Sequence, residues 1–202
     1  MKTLIAVPTM DTLPAQFAHS LASLEKVGEV GVAFQVGSLI YSARNDLAMQ
    51  AIRAGADQVL WLDSDIVFPP DTLKRLIANR DKGDIISGLY YRRVTPFTPV
   101  AFSNLDIEKG QEGVKDLTEI PDDVFEVAGC GFGCVLTPTD IFLDVLNEYG
   151  TMFEPFKGLG EDLSFCWRAK QLGFKIMIDP SIKLGHVGHF VVTREFYETY
   201  KG

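Results

Sequence analysis

Short apolar runs alternate with amphipathic stretches over the first 90 residues, and that alternation predicts the architecture. Residues 3–7 form an apolar run that reads as a strand, followed by an amphipathic stretch, 14–27, that stops at Gly28. Residues 30–35 read as a second strand and 41–54 as a second helix, stopped by Gly55. Gln58-Val59-Leu60-Trp61-Leu62 is continuously apolar after its first residue, as expected of a strand buried on both faces. Pro69-Pro70-Asp71 opens a third helix running to about Arg80, with proline in the first turn, and 84–88 reads as a fourth strand. This βαβαβαβ order predicts an α/β fold with a mainly parallel central sheet flanked by helices. Ligands of such sheets gather at the carboxyl ends of the strands.

Beyond residue 97 the pattern changes. Short strand signals at 97–102, 125–128 and 133–136 surround a polar stretch, 103–123, which reads as an exposed excursion. Thr137-Pro138-Thr139-Asp140 caps a helix to Tyr149, 152–159 is irregular, 161–172 reads as a helix ended by Gly173, and 174–178 as a strand. Residues 182–184 are strand-like as well. No repeat and no linker divides the chain, so residues 1–202 are expected to form a single domain.

Composition narrows the partners. Apolar residues make up 47% of the 202, enough for a sizeable core, and the net charge of −8 argues against nucleic acid. The first apolar run ends at Pro8, too short for a secretion signal, and no stretch approaches the roughly 20 apolar residues of a membrane span. A cytoplasmic location is the expectation, and the three cysteines, Cys130, Cys134 and Cys166, suit it as buried free thiols. Zinc lacks partner ligands near Cys130 and Cys134.

Three groups can carry chemistry. Asp63-Ser64-Asp65 follows the most apolar strand, where two carboxylates can hold a hard divalent cation, although a solvated turn uses the same residues. Gly160-Glu161-Asp162 opens a helix; acids there cap the amide ends, and one held rigidly also suits a general base. His186-Val187-Gly188-His189 holds two of only three histidines and raises the prospect of a metal ligand, with Mn²⁺ slightly favoured over Mg²⁺ by a nitrogen donor. The grouped cations Arg44-Asn45 and Tyr90-Tyr91-Arg92-Arg93 match phosphate oxygens, with solvated surface as the alternative for Arg92 and Arg93.

Taken in order, Pro8-Thr9, Ala43-Arg44-Asn45, Asp63-Ser64-Asp65, Gly129 to Gly133, Gly160-Glu161-Asp162 and His186 resemble the glycosyltransferase-A fold, most of all family-2-type transferases. The resemblance spans residues 3 to 189 and implies a single Rossmann-like domain that moves a sugar from a nucleotide-diphosphate sugar to an acceptor hydroxyl, with inversion. It implies a divalent metal, Mn²⁺ or Mg²⁺, held by Asp65, Asp63 and His186, with His189 in reserve. It further implies a nucleotide site at Pro8, Thr9, Met10, Arg44, Asn45, Asp63 and Ser64. Gly129, Cys130, Gly131, Phe132 and Gly160 would flank the donor sugar and acceptor, Asp162 would be the catalytic base with Glu161 in reserve, and Arg92 is a further candidate. The implied partners are a UDP-sugar as first choice of donor, and a glycan, protein or small-molecule acceptor; a homo-oligomer is compatible. The Gln-x-x-Arg-Trp-type motif of processive synthases is missing, and so is the C-terminal extension many relatives carry, which points to a short, non-processive transferase. Two alternatives remain. Leu60 to Val67 also resembles the opening of haloacid-dehalogenase-type phosphatases, and a domain of this fold can bind a sugar nucleotide without turning it over.

Overall fold

The computed structural model describes residues 1–188 and 191–200. Its first strand, β1 (Lys2–Thr9), buries every position between its ends, because apolar side chains face outward on both sides of the sheet. After it come α1 (Ala15–Ser23), β2 (Glu29–Val36), α2 (Ile40–Arg53), β3 (Gln58–Leu62), β4 (Ile66–Val67), α3 (Thr72–Ala78) and β5 (Ile85–Gly88). The second half holds β6 (Ala101–Leu105), a 3₁₀ segment at Ile107–Gly113, β7 (Val114–Asp116), β8 (Phe125–Val127), β9 (Gly129–Cys130) and β10 (Cys134–Pro138). It closes with α4 (Thr139–Tyr149), α5 (Glu161–Gln171), β11 (Ile176–Asp179), β12 (Gly185–Val187), β13 (Val191–Val192) and α6 (Arg194–Tyr200).

The central sheet has seven strands in the order β2-β1-β3-β10-β5-β11-β8. β2, β1, β3, β5 and β11 run one way, while β10 and β8 run against them, so the sheet is mainly parallel. Period-two alternation sorts its side chains into two cores. Leu4, Ala6, Val59, Trp61, Val135 and Ile178 face α2, α4 and α5, packing on Leu47, Phe142 and Phe165. Ile5, Val7, Leu60, Leu62, Leu136 and Met177 face α1 and α3, packing on Phe17, Leu73 and Leu76. Helices therefore cover both faces, and the single mixed α/β domain expected from the alternating pattern is observed.

Several boundaries differ from the sequence expectation for local reasons. α1 stops at Ser23 rather than at residue 27, because Leu24 is extended and the Glu25 amide donates to the Pro70 carbonyl at 2.8 Å. The proline pair makes a turn closed by Thr72 Oγ1 donating to the Pro69 carbonyl at 2.7 Å, so α3 begins only at Thr72. The strand signal at 97–102 is delayed to Ala101, since Phe97 takes a left-handed conformation with φ 57° and its amide closes a turn onto Val94. The strand-like 182–184 lie just before β12. The polar stretch 103–123 is exposed over much of its length, yet β7 within it pairs with β6. Its Leu105, Ile107 and Val114 pack against Phe102, Leu159 and Leu163. Among the described residues no helix is long and apolar enough to cross a membrane.

Candidate functional site

The carboxyl ends of β1 and β3 lie side by side in the parallel sheet, in the register Thr3↔Gln58 to Ala6↔Trp61. Residues that follow these strands therefore emerge together. After Leu62 the chain forms a tight turn, with the Ile66 amide donating to the Asp63 carbonyl at 3.0 Å. The residue just before neighbouring β10 supports the turn, the Asp63 amide donating to the Gly133 carbonyl at 3.0 Å. The Asp-x-Asp element is thus a turn and a strand-end site at once.

β12 brings the histidine to it. β12 pairs antiparallel with β4, setting His186 opposite Ile66, and the Val187 amide donates to the Asp65 carbonyl at 2.7 Å. His186 Nε2 then lies 3.4 Å from Asp65 Oδ2. Its other nitrogen, Nδ1, is 2.8 Å from the Tyr91 carbonyl. A carbonyl only accepts, so Nδ1 carries the proton and Nε2 is the nitrogen left to act as ligand or acid. Burial opposes charge on His186, but the Asp65 hydrogen bond and the Tyr91 carbonyl outweigh it and raise its pKa. Burial likewise opposes charge on Asp65, yet His186 and Arg93 hold its pKa below the ordinary carboxylate value. Arg93 Nη1 bonds the same Oδ2 and also donates to the Val187 carbonyl at 3.3 Å.

Asp63 faces a different cation. Arg44, on α2 and 2% exposed, donates from Nη2 to Asp63 Oδ1 at 2.9 Å and from Nε to Glu161 Oε1 at 3.3 Å. Its guanidinium carbon lies 5.7 Å from the Trp61 ring centre and 5.5 Å from that of Phe132. Burial pushes the Asp63 pKa up, with Arg44 pulling against it. On Arg44 burial works to lower the pKa, and the charges of Asp63, Glu161 and Asp162 reverse it. Asp162, beside this cluster in the first turn of α5, is raised to about 7 by burial and then by the Glu161 charge. Its Oδ1 accepts the Leu163 amide at 2.7 Å, so Oδ2 is the oxygen available for proton transfer.

A cavity of about 450 Å³ opens beside Asp63, lined by Pro8, Thr9, Met10, Ser38, Leu39, Ile40, Ala43, Asp63, Ser64 and Asp65. It is within the usual size for a small-molecule site. The structure therefore gathers Pro8, Thr9, Met10, Asp63, Ser64 and Asp65 around one opening. Arg44 and Asn45 are not among its lining residues. Asn45 donates to Glu154 Oε1 at 2.9 Å and accepts the Phe153 amide at 3.1 Å, tying α2 to the loop before α5. A second cavity, about 490 Å³, is lined by Gly160, Leu159, Phe102 and Arg92 among others. Arg92 Nη2 donates there to Asp116 Oδ1 at 3.1 Å.

The glycine segment acts through close approach. A Cβ on Gly131 would collide with Tyr90 Oη, and one on Gly133 would come within 2.7 Å of Tyr90 Cζ. The missing side chains let the Tyr90 ring lie close against this backbone, 5.5 Å from the His186 ring centre. Phe132 is buried against Trp61 and Phe165, and Cys130 is buried as well. The three cysteines are free and buried, and burial pushes the Cys134 thiol up to about 12. His189 lies outside the described residues. Sequence reasoning missed Ser38, Leu39 and Ile40, whose only signal is their place at the start of α2, and it left Arg93 at the surface.

Among the described residues no three His, Cys, Asp or Glu side chains form a ready metal cage. Asp65 and His186 nonetheless fit a divalent cation. Asp65 Oδ2 and His186 Nε2 stand 3.4 Å apart, close enough for one cation to take both once Nε2 gives up its proton, and a cationic guanidinium stands on that oxygen.

No family model matches the chain. It is 27% identical over 186 residues to the Mannan polymerase complex subunit MNN9 of Candida albicans, covering 74% of this chain and 49% of that protein. It is 26% identical over 161 residues to the Mannan polymerase complex subunit mnn9 of Schizosaccharomyces pombe, covering 65% and 46%. The chain thus spans about half the length of the curated relatives it matches. Among solved structures it resembles A197 from STIV with a TM-score of 0.66 at 19% identity, over 96% of this chain and 94% of that one. It also resembles GalNAc-T7, solved with UDP, GalNAc and Mn²⁺, with a TM-score of 0.64 at 12% identity, over 93% and 44%. Identities this low speak to fold alone, and the fold is glycosyltransferase-A-like.

Proposed function

We propose that the protein is a metal-dependent, family-2-type glycosyltransferase that moves a sugar from a nucleoside-diphosphate sugar to an acceptor hydroxyl with inversion. One observation carries this reading: Asp65, which lines the 450 Å³ cavity at the carboxyl edge of the sheet, lies 3.4 Å from His186 Nε2. The likeness in fold to a protein solved with UDP, GalNAc and Mn²⁺ supports it, and the two relatives named for mannan polymerase support a glycan as acceptor.

In this reading Pro8, Thr9, Met10, Leu39 and Ile40 form the wall for the base, with UDP the first choice, and Ser64 faces the ribose and diphosphate. Asp65 and His186 would hold Mn²⁺ or Mg²⁺, with Asp63 alongside, and the bound cation supplies positive charge against the diphosphate. Arg44 fixes Asp63 and Glu161 from behind. The acceptor hydroxyl forms its bond to the anomeric carbon as the bond to the diphosphate breaks; the electron pair leaves with the diphosphate and the proton goes to Asp162 Oδ2. Burial and the Glu161 charge tune Asp162 near neutrality, as a base needs. Glu161 is the poorer base because its Oε1 accepts the Arg44 N–H. A phosphatase would need Asp63 as its nucleophile, and the buried Arg44 guanidinium blunts that carboxylate.

The test is thermal stabilisation of the protein by UDP plus Mn²⁺, followed by release assays across a panel of nucleotide sugars. Stabilisation that a chelator abolishes is expected. The absence of a nucleotide-dependent shift at any metal concentration removes this reading.

A further inference from the structure

We infer that Arg93 is a built-in counter-cation for Asp65, which gives the carboxylate up to the divalent metal and then pairs with the diphosphate of the donor. The inference rests on the proposed function and concerns a residue outside the set that motif resemblance selects. Its basis is the sharing of a single oxygen. Asp65 Oδ2 carries Arg93 Nη1 on one side and faces His186 Nε2 at 3.4 Å on the other. A metal drawn to that oxygen and nitrogen meets the guanidinium at the same place, and two cations cannot share one carboxylate oxygen without strong repulsion.

Arg93 is built to yield. Its side chain is 50% exposed, whereas the other arginine of the site, Arg44, is 2% exposed and held by two carboxylates. A half-exposed ion pair is worth little, so its displacement costs little. The second contact of Arg93 is a neutral carbonyl, that of Val187. Arg93 also follows Tyr91 by two residues, and the Tyr91 carbonyl orients His186, so the arginine hangs from the segment that aims the metal ligand. Once displaced from Asp65, which lines the cavity, a planar guanidinium matches two phosphate oxygens at a time. Metal and nucleotide binding are thereby coupled through one side chain, and Asp65 stays neutralised before either arrives.

The experiment is calorimetric titration of the wild-type protein, Arg93→Ala and Arg93→Lys, first with Mn²⁺ alone and then with UDP at saturating Mn²⁺. Arg93→Ala should bind Mn²⁺ about two- to fivefold more tightly, the scale of one half-exposed ion pair. It should bind UDP more weakly by on the order of tenfold, the scale of a charge-assisted hydrogen bond. Arg93→Lys, which keeps the charge and loses the fork, should fall between the two and guards against misfolding of the alanine variant. Mn²⁺ affinity that is unchanged or weaker in Arg93→Ala overturns the inference while leaving the transferase reading in place. Failure of the wild-type protein to bind both Mn²⁺ and UDP overturns both.

Discussion

Arg44 Nη2 lies 2.9 Å from Asp63 Oδ1, and the two residues, 19 apart in sequence, meet where α2 passes behind the end of β3. The same guanidinium reaches Glu161, 117 residues further along. One buried cation therefore fixes the strand end that borders the cavity and the helix start that bears Asp162.

Removing that cation leaves two acids facing each other. Arg44→Met should destabilise the protein by roughly 3 kcal/mol, the lower end of the cost of stripping a partner from a buried ion pair, since Asp63 and Glu161 keep some solvent contact. Urea denaturation of both proteins measures this, and a loss below about 1 kcal/mol would show that the network is not structural.

In the proposed mechanism Asp162 sets the pH dependence. As a base with a pKa of about 7 it works only when ionised, so kcat/KM should rise with pH up to about 7 and level off above it. Asp162→Asn should abolish transfer at every pH while keeping the UDP-dependent thermal shift. Persisting turnover in that variant would exclude Asp162 from proton transfer.

Stability runs the other way. Folding raises the Asp162 pKa from 3.8 to about 7, so the native state favours the protonated form. That contribution is complete below 3.8 and is lost as pH rises through about 7. Asp162→Asn, which mimics the neutral acid, should flatten the decline in melting temperature across this window; an identical decline in both proteins would contradict the assignment.

His186 should govern metal affinity rather than folding. His186→Ala is expected to weaken Mn²⁺ binding at least about tenfold, the scale of perturbing a metal site's donor set. The loss of Mn²⁺ signal quenching in a paramagnetic relaxation titration reads this directly, and unchanged relaxivity would remove His186 from the ligand set.

Gly131 is a packing position. Gly131→Ala should cost about 1–3 kcal/mol by overpacking against Tyr90 Oη and Val100. In a Tyr90→Phe background, where the hydroxyl is gone, the penalty should shrink; a strictly additive double-mutant cycle would refute the contact.

Some of this was legible in the chain and some was not. The run from Gln58 to Leu62 announced a buried strand, and the acids after it announced a strand-end site, because hydrophobic periodicity and strand-end chemistry are local signals. The direction of β10 was not readable, since alternating apolar residues carry no arrow and only the pairing with β3 and β5 settles it. From the resemblance alone, Arg44 is expected to brace the nucleotide. The structure puts it on Asp63 and Glu161, and a guanidinium suits carboxylate and phosphate equally, so its residue type could not choose. Arg92 and Arg93 are adjacent and alike, yet one meets Asp116 and the other Asp65. That division depends on β12 folding back against β4, a contact between segments more than 100 residues apart.

The antiparallel strand β10 lies between β3 and β5, strands that precede it by dozens of residues. As the chain leaves the ribosome, β3 and β5 lack the strand between them until residue 138 has been made, and β5 lacks its other neighbour, β11, until residue 179. At roughly 5–20 residues per second the wait lasts seconds, long against the collapse of a small chain. Contacts this distant in sequence also slow the search for the native topology. Gly133, whose carbonyl supports the Asp63 turn, immediately precedes β10, so the turn gains that support only as the middle of the sheet is closed.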